Sequence, residues 1–266
     1  MAKNYKILAT LLTIISSSWL NGQILNIDRE NGQDTMNKRF HASFDFNFAL
    51  DKQKGDFIDF NNKTELDLAI KKRMILIFLN STEISFSGSN AIENNGYFQL
   101  RFRDNDKRKV FADSYAQYQY NGILGMKQRF LVGSNVRINW MEKKKSDLYT
   151  SFGIFYEDEL WDPGFSTLDF ADSVGIIHRQ FFRFNSSIKT AFKLGNKVDF
   201  ASISYVQFPL NEFYYKPRWF FDSNLNIAFN KRWSMQIHYD HNYDLYRALP
   251  IDAFYYSLTI GVKLQI

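Results

Sequence analysis

The feature that most constrains this chain is an alternation of apolar and polar residues that holds through runs of 10 to 15 residues. Period two is the spacing at which successive side chains of an extended strand point to opposite faces. Near the C-terminus Phe254, Tyr256, Leu258, Ile260, Val262, Leu264 and Ile266 share one face, and Tyr255, Ser257, Thr259, Gly261, Lys263 and Gln265 the other. Further upstream Phe40, Ala42, Phe44, Phe46, Phe48 and Leu50 oppose His41, Ser43, Asp45, Asn47 and Ala49. Mid-chain, Phe130, Val132, Val136, Ile138 and Trp140 oppose Arg129, Asn135, Arg137 and Asn139.

Strands of soluble sheets usually run to about 5 or 6 residues, whereas a tilted strand crossing a bilayer needs about 9 to 11. Here the long runs carry charges deep in the polar face, while Phe, Leu, Ile and Val dominate the other. Lipid requires an uncharged outer band, a wet lumen tolerates charge, and closure satisfies every backbone N–H and C=O. The pattern predicts an all-β fold, an antiparallel transmembrane β-barrel of about twelve strands. We place them at 39–50, 57–70, 73–87, 96–103, 109–120, 127–140, 148–157, 178–193, 198–208, 218–229, 232–243 and 254–266. Both faces are apolar over 73–79, and Ile203 and Tyr205 blur the alternation in 198–208.

Before the first strand the pattern changes. Lys3 and Lys6 precede a short apolar stretch, 7–15, and then Ser16, Ser17 and Ser18, the layout of a secretory signal peptide. Cleavage after Ser18 and cleavage before Gln23 are both compatible with it; we adopt 1–22 as the leader, 23–38 as a polar periplasmic arm and 39–266 as the barrel. Removing the leader takes away two lysines and no acid, so the formal charge falls from +5 to +3. A basic chain bound for the envelope is not expected to bind nucleic acid. With no cysteine there is no disulfide framework and no thiolate metal site. The expected location is the outer membrane, with its lipid as the first partner.

Counting from a periplasmic N-terminus, every second connection should be a short turn. The turns expected on that side are 71–72, 104–108, 141–147, 195–197 and 230–231, and with their flanks they sum to a formal charge of +8. The expected external loops include 158–177, 209–217 and 244–252. The first holds Asp158, Glu159, Asp162, Asp169 and Asp172 with no Lys or Arg. It reads either as an acidic mouth that concentrates cations or as a merely solvated loop.

The stretch from Tyr97 to Arg137 reads YFQLRFRDNDKRKVFADSYAQYQYNGILGMKQRFLVGSNVR. Its acidic Asp113, aromatic-Ala-Gln-Tyr run and Arg-x-Leu-x-Gly-x-x-x-Arg segment resemble the salt-induced outer membrane protein family. So do Pro209, Asp222, Pro250 and Asp252 further on. The resemblance implies an outer-membrane β-barrel of undefined biochemical activity. Two positions depart from the pattern: Asp113 stands where Glu is common, and the chain ends in Ile266 where outer-membrane barrels favour Phe.

The chemistry candidates are charges on the lumen side of the predicted strands: Glu65, Asp67, Glu83, Arg101, Arg103, Asp113, Arg129, Arg137, Glu157, Arg179, Arg183, Asp222 and Asp240. Buried charges are costly unless paired or hydrated. The set therefore reads as a salt-bridged brace, as a polar path for small solutes or cations, or as both. A largely closed barrel that binds an envelope partner through loop 158–177 is the alternative. An enzyme is not expected: Ser234 and His238 share a face, but that face points into the lumen, away from lipid. Asp240-x-Asn242-x-Asp244 opens like a calcium loop yet lacks the Gly and the closing Glu, Ile251 standing in its place. No catalytic, metal or cofactor-binding residue is assigned.

Overall fold

The computed structural model describes residues 40–52, 56–71, 74–88, 90–104, 109–143, 145–166, 175–195, 197–211, 216–230, 233–245 and 247–264. The expected leader and arm lie outside them. Twelve strands form one antiparallel sheet in chain order. They are β1 (Phe40–Lys52), β2 (Asp56–Lys71), β3 (Met74–Ser87), β4 (Asn90–Asp104), β5 (Val110–Asn121), β6 (Met126–Lys143), β7 (Ser146–Trp161), β8 (Ile177–Leu194), β9 (Val198–Pro209), β10 (Arg218–Ala228), β11 (Trp233–Asp244) and β12 (Phe254–Leu264).

Each strand pairs with its neighbours in sequence, and the alternation read from the sequence becomes the two faces of the sheet. Apolar side chains of the outer face stand in the open: Phe48 is 68% exposed, Ile154 50% and Leu258 56%. Phe, Ile, Leu and Val exposed along strand after strand make a surface far larger than a soluble monomer leaves uncovered. It is the lipid-facing belt of a transmembrane β-barrel. Indoles sit near the strand ends, their N–H groups engaged across strands. Trp140 Nε1 donates to Thr150 Oγ1 at 2.9 Å and Trp219 Nε1 to Ser204 Oγ at 2.9 Å. Such rings anchor a barrel at the membrane surface.

The other face is concave. Side chains from strands that are not neighbours meet across it. Arg218 of β10 reaches Glu157 and Glu159 of β7. Tyr115, Leu131, Phe155 and Tyr205, from β5, β6, β7 and β9, form one buried cluster with Ile203 and Phe220 against it. Gly133 makes room for this packing, since a Cβ there would lie 2.8 Å from the Tyr115 hydroxyl and 2.9 Å from the Ile154 carbonyl. At the end carrying the β5–β6, β7–β8 and β11–β12 connections, Leu124, Met126, Trp161, Leu249 and Ile251 make a second cluster. Gly125 is required there twice over. Its φ is +75°, and a Cβ would come within 2.8 Å of Leu249. Asp162 closes the same region by capping a short 3₁₀ turn, Pro163–Phe165, through Gly164 N at 3.0 Å.

Among the described residues the hydrogen-bonded ladder begins at β1 and ends at β12. Every residue of β1 is exposed, on both faces. β1 is thus the open edge of the sheet, the inward residues of β2 and β12 are mostly half-buried, and burial of inward side chains is greatest from β3 to β9.

The strands run further than the alternation alone suggested. Both β4 and β7 exceed the spans 96–103 and 148–157, and both extensions carry charges on the concave face. The apolar inner positions of β3, Ile75, Ile77 and Leu79, are buried in a small cluster of their own against Tyr97. This accounts for the two apolar faces over 73–79. The belt predicts the outcome of placing a charge on it. Ile154→Arg should lower the stability of the protein folded into phospholipid vesicles by about 2–4 kcal/mol, measured by urea unfolding. In a soluble sheet the same exposed position would tolerate Arg to within about 0.5 kcal/mol.

Candidate functional site

The interior is built from inward positions of adjacent strands, so register decides which charges meet. Toward the end carrying the long connections, Glu157 of β7 is fully buried. It accepts hydrogen bonds from Arg129 Nε at 2.5 Å, Arg183 Nε at 2.5 Å and Arg218 Nη1 at 2.7 Å. Two positions on, Glu159 accepts from Arg218 Nη2 at 2.8 Å, Arg179 Nη2 at 3.2 Å and Trp161 Nε1 at 3.0 Å. Arg218 also donates through Nε to Asp244 at 2.7 Å. Four guanidinium groups and three carboxylates thus form one network across β6, β7, β8, β10 and β11. The Arg183 guanidinium lies 4.4 Å from the centre of the Phe181 ring, which covers one of its faces.

A second group lies nearer the opposite end. Asp113 of β5, itself fully buried, is approached by Arg137 Nη2 at 3.1 Å, Arg103 Nη2 at 3.5 Å and Arg101 Nε at 3.7 Å. Arg137 packs over the Tyr149 ring at 4.4 Å. Between the two groups the inner wall carries no charge: it combines the apolar cluster around Tyr115, Leu131, Phe155 and Tyr205 with neutral polar pairs, Gln99 donating to Gln117 at 2.7 Å and the Ser151 and Ser187 hydroxyls 2.6 Å apart.

The remaining candidates lie on β2, β3, β10 and β11. Glu65 is half-buried on β2, and Asp67 is buried there, 3.8 Å from His41 Nδ1. Glu83 is buried on β3. On β10 and β11, His238 lies between two carboxylates, Nε2 at 2.9 Å from Asp222 and Nδ1 at 3.8 Å from Asp240. Asp240, Asn242 and Asp244 are strand residues with inward side chains, so the calcium-loop spacing is only strand alternation.

The expected acidic loop 158–177 needs correction. Strand β7 continues to Trp161, and Glu159 points inward, its charge matched by three arginines. Asp158 is on the outward face, held by His178 Nε2 at 3.0 Å and Gln180 Nε2 at 2.5 Å. Asp162 takes Lys127 Nζ at 3.3 Å besides its capping role. Asp169 and Asp172 lie outside the described residues. Asp244, expected in the loop 244–252, likewise ends β11 and faces the interior.

Sequence reasoning missed Arg218, the residue that links β7 to β11. It stands at the first position of its strand, in phase with Asp222, and that phase was the available signal.

Such an interior defines a class: a membrane-spanning barrel whose wall is braced from within by ion pairs. No protein-family model matches the chain, and no curated protein matches it by sequence. Among solved structures it is similar to the NanC porin in a rhombohedral crystal form, at 12% identity and a TM-score of 0.39, over 78% of this chain and 94% of that one.

The network predicts a large penalty for removing its centre. Glu157→Ala leaves three buried guanidinium groups facing one another. It should destabilise the folded protein by about 3–5 kcal/mol, read from the urea midpoint. Replacing Glu157, Arg183 or both should reveal strong coupling between the two in a double-mutant cycle.

Proposed function

We propose that the protein is an outer-membrane channel that passes small solutes passively, by an off-centre path with a preference for cations. The observation that carries this reading is the division of the interior. The side formed by β3 to β9 is filled by side chains and ion pairs, whereas the inward residues of β1 are exposed and most of those of β2 and β12 are only half-buried. Asp45, Asp59, Glu65, Asp222 and Asp240 line that accessible side. Beside them stand Lys63, cross-strand from Asp45, and His238, which lies 2.9 Å from Asp222. A low-dielectric wall around an excess of carboxylates raises the local concentration of cations.

In this reading 1–22 is the leader that directs export and the arm 23–38 lies on the periplasmic side. The chain belongs beside the salt-induced outer membrane proteins that its β4–β6 sequence resembles. The arginines of the filled side act as a brace; solute does not travel past them. The channel role needs no catalytic group, and none is proposed. A second reading, a closed scaffold that binds an envelope partner, is favoured by the two apolar clusters that occupy the middle and one end of the interior.

Planar-bilayer recording of the refolded mature chain separates the two. A channel should give discrete steps and a cation-biased reversal potential in a salt gradient. Asp222→Asn with Asp240→Asn should move that potential toward zero while steps persist. Silence from protein shown to be folded would sink the channel and leave the scaffold.

A further inference from the structure

The inner wall contains hydrogen-bonding groups that neither ion-pair network uses. One row of cross-strand partners passes through Arg103, near the end of β4, and finishes at Asp244, the last residue of β11. Because the strands are staggered, this row climbs from one end of the barrel to the other. Its middle is Asn135, Gly153, Asn185 and Gln207, on β6, β7, β8 and β9. The three amides are 2%, 0% and 0% exposed. Asn185 Nδ2 donates to Asn135 Oδ1 at 3.5 Å. That leaves Asn135 Nδ2, Asn185 Oδ1 and both polar atoms of Gln207 without a protein partner, and the buried hydroxyl of Tyr115, two residues from Asp113 on β5, is in the same state. Gly153 contributes no side chain, and the Asn135 amide leans into the space a Cβ would take.

A buried amide with nothing bonded to it is expensive, so a partner of suitable chemistry is required. The open positions include both donors and acceptors and no charge. An anion would use only the donors and a metal cation only the acceptors. The group that fits must be neutral, able to give and to take hydrogen bonds, and small enough for a close-packed wall. We propose that Asn135, Asn185 and Gln207, with the Tyr115 hydroxyl, form an internal water-binding site. It hydrates the filled side of the barrel between its two charged groups. The site is independent of whether the accessible side conducts.

Gln207→Met tests it by the sign of the effect, because Met keeps the length of the side chain and removes its polar atoms. If water bridges the amide, the variant loses those bonds and its urea midpoint falls. If the amide is simply unpaired, removing it relieves a penalty; a midpoint that rises or stays put overturns the proposal. The unmodified protein in micelles supplies a measurement that does not depend on the variant folding. The Gln207 side-chain amide protons should cross-relax with water at the sign expected for nanosecond or longer residence. The absence of that signal overturns the site as well.

Discussion

A strand that crosses lipid must send alternate side chains inward, and whatever it sends inward must find its partners there. That constraint organises the molecule. Period two disposes of the apolar half of each strand against lipid, and the polar half accumulates on a concave surface. Arginines of the filled side stand on even-numbered strands, at 101 and 103, 129 and 137, 179 and 183, and 218. Their carboxylates stand on odd-numbered ones, Asp113, Glu157, Glu159 and Asp244. Since neighbouring strands alternate in direction, every junction from β4 to β8, and that between β10 and β11, sets a cation beside an acid. The sheet is thereby held laterally by side chains as well as by its backbone ladder. Breaking such pairs costs more than forming them gains, so the arrangement specifies register more than it adds stability.

The same geometry explains how far a sequence of this kind can be read. Twelve strands and the inward phase of Asp113, Arg129, Arg137, Glu157 and Arg183 follow from local alternation, because each residue's face is fixed by its own strand. Strand ends are different. Glu159 and Asp244 look like loop acids, the first because it adjoins Asp158 and the second because it falls where the alternation stops. Only an arginine from a remote strand converts Glu159 into an interior group, and the phase of Arg218 with Asp222 gives its face but not the partner it reaches on β7. The division between a filled and an accessible side was not legible either. It depends on the bulk of Tyr115, Phe155, Tyr205 and Phe220 converging from four strands, and on Gly133 making way for them.

The interior thus separates mechanical and solvating duties. On the filled side seven arginines surround four carboxylates, so that wall does not attract a mobile cation, and the amides between the two groups carry no charge at all. Asp45, Asp59, Glu65, Asp222 and Asp240 are not buried in this way.

The apolar cluster of Leu124, Met126 and Trp161 with Leu249 and Ile251 bears on the order in which the molecule is assembled. Each strand docks on the one before it, so most contacts close short loops and can form as the sheet grows. This clasp joins the β5–β6 turn to the connection before the last strand, and its loop-closure entropy is recovered only when the sheet has curled far enough to bring them together. The side chains that complete it, Leu249 and Ile251, come from the segment that delivers the final strand. Burial of Trp161 then marks the step at which a growing sheet becomes a finished wall, and its indole is a built-in reporter of that event.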